Sequence, residues 1–248
     1  MTTEISADFP TTSNVDFPSV WVSAIWIILF FVAQLLFGIL AIAALLLFAD
    51  DFEVATSKLT DMKFIALPTI WGLVASNFAI CTGLFLYLRR EDRFAKIGAM
   101  RWSRISAAKT LALAAAVILG GLAFNYAYSE YIFPDVEMQK QLKELFAAIP
   151  KTLPNTILLF LAVAIFAPLL EEFLFRGLLQ NSLMPMMPAA AAILLSAAIF
   201  AGVHMDKLAF APIFVLGAAF GYLYHVTGSL RVCILMHMIN NGAALAFG

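Results

Sequence analysis

Residues 155–180 read NTILLFLAVAIFAPLLEEFLFRGLLQ. From Ile157 to Leu170 no side chain is polar. The stretch exceeds the roughly 20 residues that a helix needs to cross a hydrocarbon core. It is apolar all round rather than along one stripe, which marks a helix whose solvent is lipid or protein on every side. At its C-terminal half it then places Glu171, Glu172 and Arg176. Fold and chemistry are both decided in this segment.

Runs of the same character recur along the chain, at Val20–Ala49, Phe64–Leu88, Ala107–Tyr128, Ala189–His204, Leu208–His225 and Leu230–Phe247. An open sheet leaves its edge groups unsatisfied in lipid, so helices are the only spanning elements these runs support. The expected fold is an all-α polytopic transmembrane bundle of about seven spanning helices, or eight if the long first run hides a second. Composition agrees. The 248 residues are 63% hydrophobic and 12% charged, about half the charge of an ordinary soluble domain. A formal net charge of −1 lacks the overall basic excess expected of a nucleic-acid-binding protein. Cys81 and Cys233 both lie in apolar runs and make neither a disulfide framework nor a zinc knuckle.

Three stretches organise the chain. Residues 1–19 form a polar tail with Glu4, Asp8 and Asp16 but no Lys or Arg. A signal peptide needs a positive start, so the first apolar run reads as a retained span. Residues 20–149 hold the N-terminal spans and a loop with Arg89, Arg90, Arg93, Lys96, Arg101 and Arg104. Positive loops stay cytoplasmic, which puts the N-terminus inside; the expected location is the plasma (inner) membrane of a bacterium. Farther along, Met138, Leu142, Leu145, Phe146 and Ile149 share one helical face opposite Lys140, Lys143 and Glu144, the pattern of an interfacial helix. Residues 150–248 carry the remaining apolar runs and the chemistry.

An ionisable pair inside a span is a functional-site hypothesis by default, because a charge at mid-membrane is costly. Spacing separates the two glutamates. Glu172 and Arg176 are i and i+4, with the acid first, the favourable order for a structural ion pair. Glu171 is rotated by about 100° and meets Phe175 at i+4, so it is left for chemistry. Pro168 cannot donate to the carbonyl of Ala164, which loosens the helix one turn before the pair.

The three histidines are His204, His225 and His237, with Asn240 and Asn241 following the last. An antiparallel hairpin folded at Pro185–Pro188 brings Glu171 and His204 to the same height, about 20 Å from that turn. His237 and Asn241 stand about 12 and 18 Å above the start of the last run. His204 is two residues from Asp206 and Lys207. Either this layer lies near the opposite membrane face or that loop dips inward.

A carboxylate and an imidazole that share a water form a general-base pair, and a second imidazole with a carboxamide suits a developing oxyanion. No serine or cysteine is an evident nucleophile. Glu171, His204 and His237 are also ordinary ligand types for Zn²⁺, although the HExxH spacing of zinc proteases is missing. Spacing alone leaves water activation and metal binding both open, with metal not favoured.

Glu171-Glu172-x-x-x-Arg176, Phe200-x-x-x-His204 and His237-x-x-x-Asn241 together resemble the three-motif pattern of the CPBP (Abi) family. That family contains the type II CAAX prenyl endopeptidases and bacteriocin-processing or self-immunity proteins. The resemblance covers roughly residues 150–247, including GYLYHVTGSL before the third motif. It implies an intramembrane endopeptidase in which Glu171 and His204 activate water, His237 and Asn241 support the oxyanion, and Glu172 and Arg176 are structural. It implies no cofactor. The implied partners are membrane lipid and a peptide or lipidated protein substrate. The competing expectation is a non-catalytic immunity or scaffolding protein that binds a partner through its helices. The oligomeric state is not written in these residues.

Overall fold

The computed structural model describes residues 19–134 and 138–247; the polar tail expected at 1–19 falls, but for Ser19, outside them. Every element among the described residues is helical. Ten helices follow in order: α1 (Val20–Leu47), α2 (Phe52–Ser57), α3 (Met62–Leu88), α4 (Arg93–Lys96), α5 (Ala107–Ile132), α6 (Lys140–Ala148), α7 (Leu153–Leu183), α8 (Ala189–Gly202), α9 (Phe210–Thr227) and α10 (Leu230–Phe247). The protein is an all-α polytopic helix bundle and an integral membrane protein.

Helix starts follow local chemistry. Ser19, Ser106 and Thr152 each accept a hydrogen bond from a first-turn backbone N–H of α1, α5 and α7, which satisfies a donor that the helix itself leaves unpaired. Gly228 ends α9 in the left-handed conformation at φ 62°, with its N–H on the Tyr224 carbonyl, a conformation that glycine adopts without a Cβ penalty.

Six of the helices are long and apolar enough to cross a membrane. Two of the expected runs depart in length from a standard span. The first run is one continuous helix of 28 residues, about 42 Å long, so it tilts or protrudes rather than doubling back. The run Ala189–His204 forms a helix of only 14 residues that ends at Gly202, about 21 Å against a core of about 30 Å. α8 still reverses the chain. Ser182 at the end of α7 meets Ser23 in α1 (3.3 Å), and Tyr224 at the end of α9 donates to the Ile97 carbonyl (2.9 Å). Both helices therefore finish at the same end of the bundle, and α8 supplies the leg between them. Residues 203–209 then lead into α9.

Two cores hold the bundle. The larger joins Phe30 of α1, Leu84 and Leu88 of α3, Leu170, Leu174 and Leu178 of α7, Phe200 of α8, Phe220 and Leu223 of α9 and Leu230 of α10. The smaller joins Ala66 and Ile70 of α3 to Ile149, Leu158 and Ala162. Leu145 and Phe146 of α6 pack on that second core, so the amphipathic helix presses its apolar face against α3. Met138, expected on its face, precedes its first turn.

α7 is not uniformly α-helical. Residues Leu161–Phe166 and Glu172–Gln180 are π-helical, with an α-helical segment Ala167–Glu171 between them. π-helical turns of this kind are rare and concentrate at functional sites.

Candidate active site

The first π segment accommodates Pro168. Ala167 donates its N–H to the Ala162 carbonyl, five residues back. The next carbonyl in that register is Val163, whose donor would be Pro168, and proline has no N–H. Asn241 fills the gap, its Nδ2 donating to the Val163 carbonyl at 3.2 Å. The Oδ1 of Asn241 accepts from Asn240 Nδ2 at 3.3 Å. The carboxamide is thus held at both ends, with one N–H of its amide still uncommitted.

One turn farther along α7 the two glutamates diverge. Glu172 is wholly buried and Arg176 nearly so, with Nη1 of the arginine 2.9 Å from Glu172 Oε1. The second guanidinium nitrogen, Nη2, donates to the Gly217 carbonyl of α9 (2.8 Å). Its plane lies over the Phe200 ring, 4.7 Å from the centroid, and 5.7 Å from that of Phe220. A buried charge is tolerable only when paired and hydrogen-bonded in this way. The same Glu172 Oε1 also receives Nδ1 of His237 at 2.8 Å, while Oε2 is buried with no hydrogen-bond partner among the described residues.

His237 sits between the two acids. Its Nδ1 faces Glu172, and its Nε2 lies 3.6 Å from Glu171 Oε2. A carboxylate only accepts, so Nδ1 carries the hydrogen and the remaining nitrogen is the one presented to Glu171. Phe220 packs against the imidazole with centroids 5.1 Å apart, and Phe200 edges it at 6.1 Å. Glu171 keeps 16% of its side chain exposed, against none for Glu172.

His204 follows the end of α8 and is exposed. Its Nδ1 lies 2.7 Å from the Phe200 carbonyl. That oxygen can only accept, so the neutral ring bears its hydrogen on Nδ1 and its lone pair on Nε2. Phe200 packs on the ring edgewise at 4.9 Å. No nitrogen of His204 comes within 4.0 Å of a Glu171 oxygen. The direct neighbour of Glu171 is His237.

Phe200 is therefore shared by Arg176, His204 and His237, and it links the second motif to the other two. Two residues outside the motifs complete the arrangement. Phe220 and Gly217 belong to Gly217-x-x-x-Gly221 on α9, a small-residue pattern that lets helices approach closely. A Cβ at Gly217 would stand 3.1 Å from the Phe200 ring, and one at Gly221 would stand 2.7 Å from Gln180 Oε1. Gln180 in turn donates to the Gly221 carbonyl (3.0 Å), one helical turn along from the Arg176–Gly217 bond. That motif was the available sequence signal for α9.

Ser196 donates to the Phe175 carbonyl (3.1 Å), and Cys233 is fully buried with Sγ toward the Phe220 carbonyl. Both are occupied in packing. Among the described residues, no three His, Cys, Asp or Glu side chains are grouped so that they could hold a metal ion.

The loop after His204 is fixed by Asp206. Its carboxylate accepts from the backbone N–H groups of Leu208 (2.9 Å), Ala209 (3.1 Å) and Gln139 (2.8 Å). Burial pushes this carboxyl up, but the three N–H bonds outweigh burial and hold it below its ordinary value of 3.8. Through Gln139 the loop is tied to the start of α6.

No curated protein and no solved structure matches this chain. Residues 153–243, which contain all three motifs, match the family model described as type II CAAX prenyl endopeptidase Rce1-like.

Proposed function

We propose that the chain is an intramembrane endopeptidase that hydrolyses a peptide bond of a membrane-associated, prenylated CAAX-type substrate. The family match implies CAAX-type endopeptidase activity; the assignment of roles to residues is our own reading. It rests chiefly on the different situations of the two adjacent glutamates. Glu172 is neutralised by Arg176 and sealed from solvent, while Glu171 has no arginine or lysine partner among the described residues and remains reachable.

In this reading a water molecule lies between the Glu171 carboxylate and Nε2 of His204. Glu171 takes a proton as the water oxygen attacks the scissile carbonyl carbon, and Nε2 of His204 orients the water by accepting its second hydrogen. The carbonyl oxygen becomes an oxyanion. The free amide hydrogen of Asn241 and Nε2–H of an imidazolium at His237 stabilise it. With Glu171, Glu172 and Arg176 ionised, an imidazolium brings the charge of the cluster to zero, which a low-dielectric site favours. The C–N bond then breaks as the proton held by Glu171 passes to the leaving amine. No metal or other cofactor enters this scheme. Glu172 and Arg176 act by positioning His237. The N-terminus would lie in the cytoplasm of a bacterium, with the domain in its inner membrane.

The test is cleavage of a prenylated CAAX-type peptide by the purified full chain in bilayers, with products identified by mass. Wild type should release the C-terminal fragment, and folded Glu171→Ala and His204→Ala chains should not. Full activity in either variant removes the mechanism. A wild-type chain that binds the peptide without ever cutting it is instead a binding protein.

A further inference from the structure

The end of the bundle where α7 and α9 finish carries most of the protein's positive charge. Arg89, Arg90, Lys96, Arg101, Arg104 and Lys109 are all exposed there. The two acids in the same loop are Glu91 and Asp92, and Glu91 is already paired with Arg93 at 3.0 Å. At the far end of α1 and α3, by contrast, Asp50, Asp51, Glu53 and Asp61 accompany Lys58 and Lys63.

This basic loop is a built surface rather than a loose strand of charge. Arg104 donates its backbone N–H to the Thr227 carbonyl (2.8 Å) and its guanidinium to the carbonyls of Val226 (3.0 Å) and His225. Ser229 Oγ donates to the Arg101 carbonyl (2.8 Å), Arg231 Nε to that of Ala99 (2.7 Å) and Leu230 N–H to that of Gly98 (3.2 Å). Gly98 has φ 70°, and a Cβ there would collide with the Gly228 carbonyl. The backbone from 97 to 104 is thereby locked onto the α9–α10 turn. Two large side chains are nevertheless left facing outward: Met100 at 63% and Trp102 at 64% exposed. Arg231 lies over the Trp102 ring at 5.5 Å.

We propose that this platform docks onto anionic phospholipid headgroups, with Trp102 and Met100 seated at the headgroup boundary and the surrounding cations on the phosphates. Three observations combine with one principle. The cations cluster between the end of apolar helix α3 and the first turn of α5, and few acids neutralise them. An exposed aromatic ring, Trp102, is displayed among them, and tryptophan concentrates at the interface in membrane proteins. The backbone is fixed, so little ordering entropy is lost on contact. Basic segments next to a membrane are drawn to anionic lipid over a screening length. The surface is also wired to the catalytic helix, since Tyr224 donates to the Ile97 carbonyl and accepts from Asn181 of α7. The proposal stands apart from the peptidase reading and is tested without any cleavage.

The full chain, in phosphatidylcholine micelles, is titrated with phosphatidylglycerol or with further phosphatidylcholine, and bound lipid is counted by native mass spectrometry. Wild type should retain phosphatidylglycerol in preference, less so at high salt, and inorganic phosphate should not displace it. R89Q/R90Q/R101Q/K109Q should weaken the preference by about tenfold or more. K140Q/K143Q/K151Q, elsewhere on the chain, should leave it unchanged. Equal retention of the two lipids by wild type overturns the proposal, as does an equal loss in both variants. Should the quadruple variant not fold, the wild-type preference and its salt dependence decide alone.

Discussion

Nδ1 of His237 lies 2.8 Å from Glu172 Oε1, a contact between α10 and α7 made 65 residues apart in the chain. The same oxygen receives Arg176 at 2.9 Å, so one carboxylate oxygen fixes a cation and an imidazole together. Removing one partner of a buried ion pair strands the other. Glu172→Gln and Arg176→Met should each lower unfolding stability by about 3–5 kcal/mol. Replacing both at once should recover much of that loss while leaving His237 unanchored and cleavage poor. Thermal and denaturant unfolding of the three variants in one detergent measures this.

His204 offers a cleaner separation of folding from chemistry. Its Nδ1 serves the Phe200 carbonyl, and its Nε2 is the proposed acceptor that orients the attacking water. His204→Asn keeps a donor near the carbonyl and deletes Nε2. Its unfolding transition should match wild type while kcat falls by about 10²-fold or more, the scale for losing the group that positions a reactant. The rate and the melt are read on the same preparation.

Pro168 and Asn241 should be coupled. Asn241→Ala leaves the Val163 carbonyl without a donor, at a cost of about 1–3 kcal/mol. Pro168→Ala supplies the missing N–H, so the double variant should regain the stability that Asn241→Ala loses. Pro168→Ala alone should be at least as stable as wild type and should cleave more slowly, because Asn241 loses its anchor. A double-mutant cycle in unfolding free energy, with rates alongside, reports the coupling.

Asp206 sets a pH limit on the loop behind His204. Its carboxyl is held below 3.8 in the folded protein by three backbone N–H bonds acting against burial. A lowered carboxyl contributes stability that is complete above its unfolded value and is lost as pH falls through the folded one. Protection of the Gln139, Leu208 and Ala209 amides from hydrogen exchange, corrected for the intrinsic rate, should therefore hold steady from neutral pH down to about 3.8 and fail below it. Asp206→Ala should lose that protection at every pH.

Local spacing made part of this protein readable. Uninterrupted apolar runs announce helices because lipid leaves the backbone no other way to bond, and Glu172-x-x-x-Arg176 could be paired from i, i+4 geometry. What escaped reading was tertiary or depended on small backbone departures. Asn241 meets Val163 and His237 meets Glu172 only because α10 packs on α7, and no periodicity encodes that. The π turns around Pro168 shift the orphan carbonyl from Ala164 to Val163, which an α-helical count misses by one residue. The short α8 ends at Gly202, where Met205 then turns with φ 53°; apolar composition runs past that point and hides the end. Gly217-x-x-x-Gly221 was legible as a close-packing signal, yet its consequence, a glycine carbonyl offered to Arg176, depends on the partner helix.

The central claim is that Glu171, and not its neighbour, performs the hydrolysis. Steady-state cleavage of a prenylated CAAX-type peptide by Glu171→Gln and wild type, in the same bilayer and with matched folding, tests it most directly. Glutamine keeps the shape and hydrogen-bonding reach of the side chain but cannot take a proton at this step. The account predicts a fall in kcat of about 10²–10⁴-fold with KM little changed. Turnover by Glu171→Gln within a few-fold of wild type would contradict it.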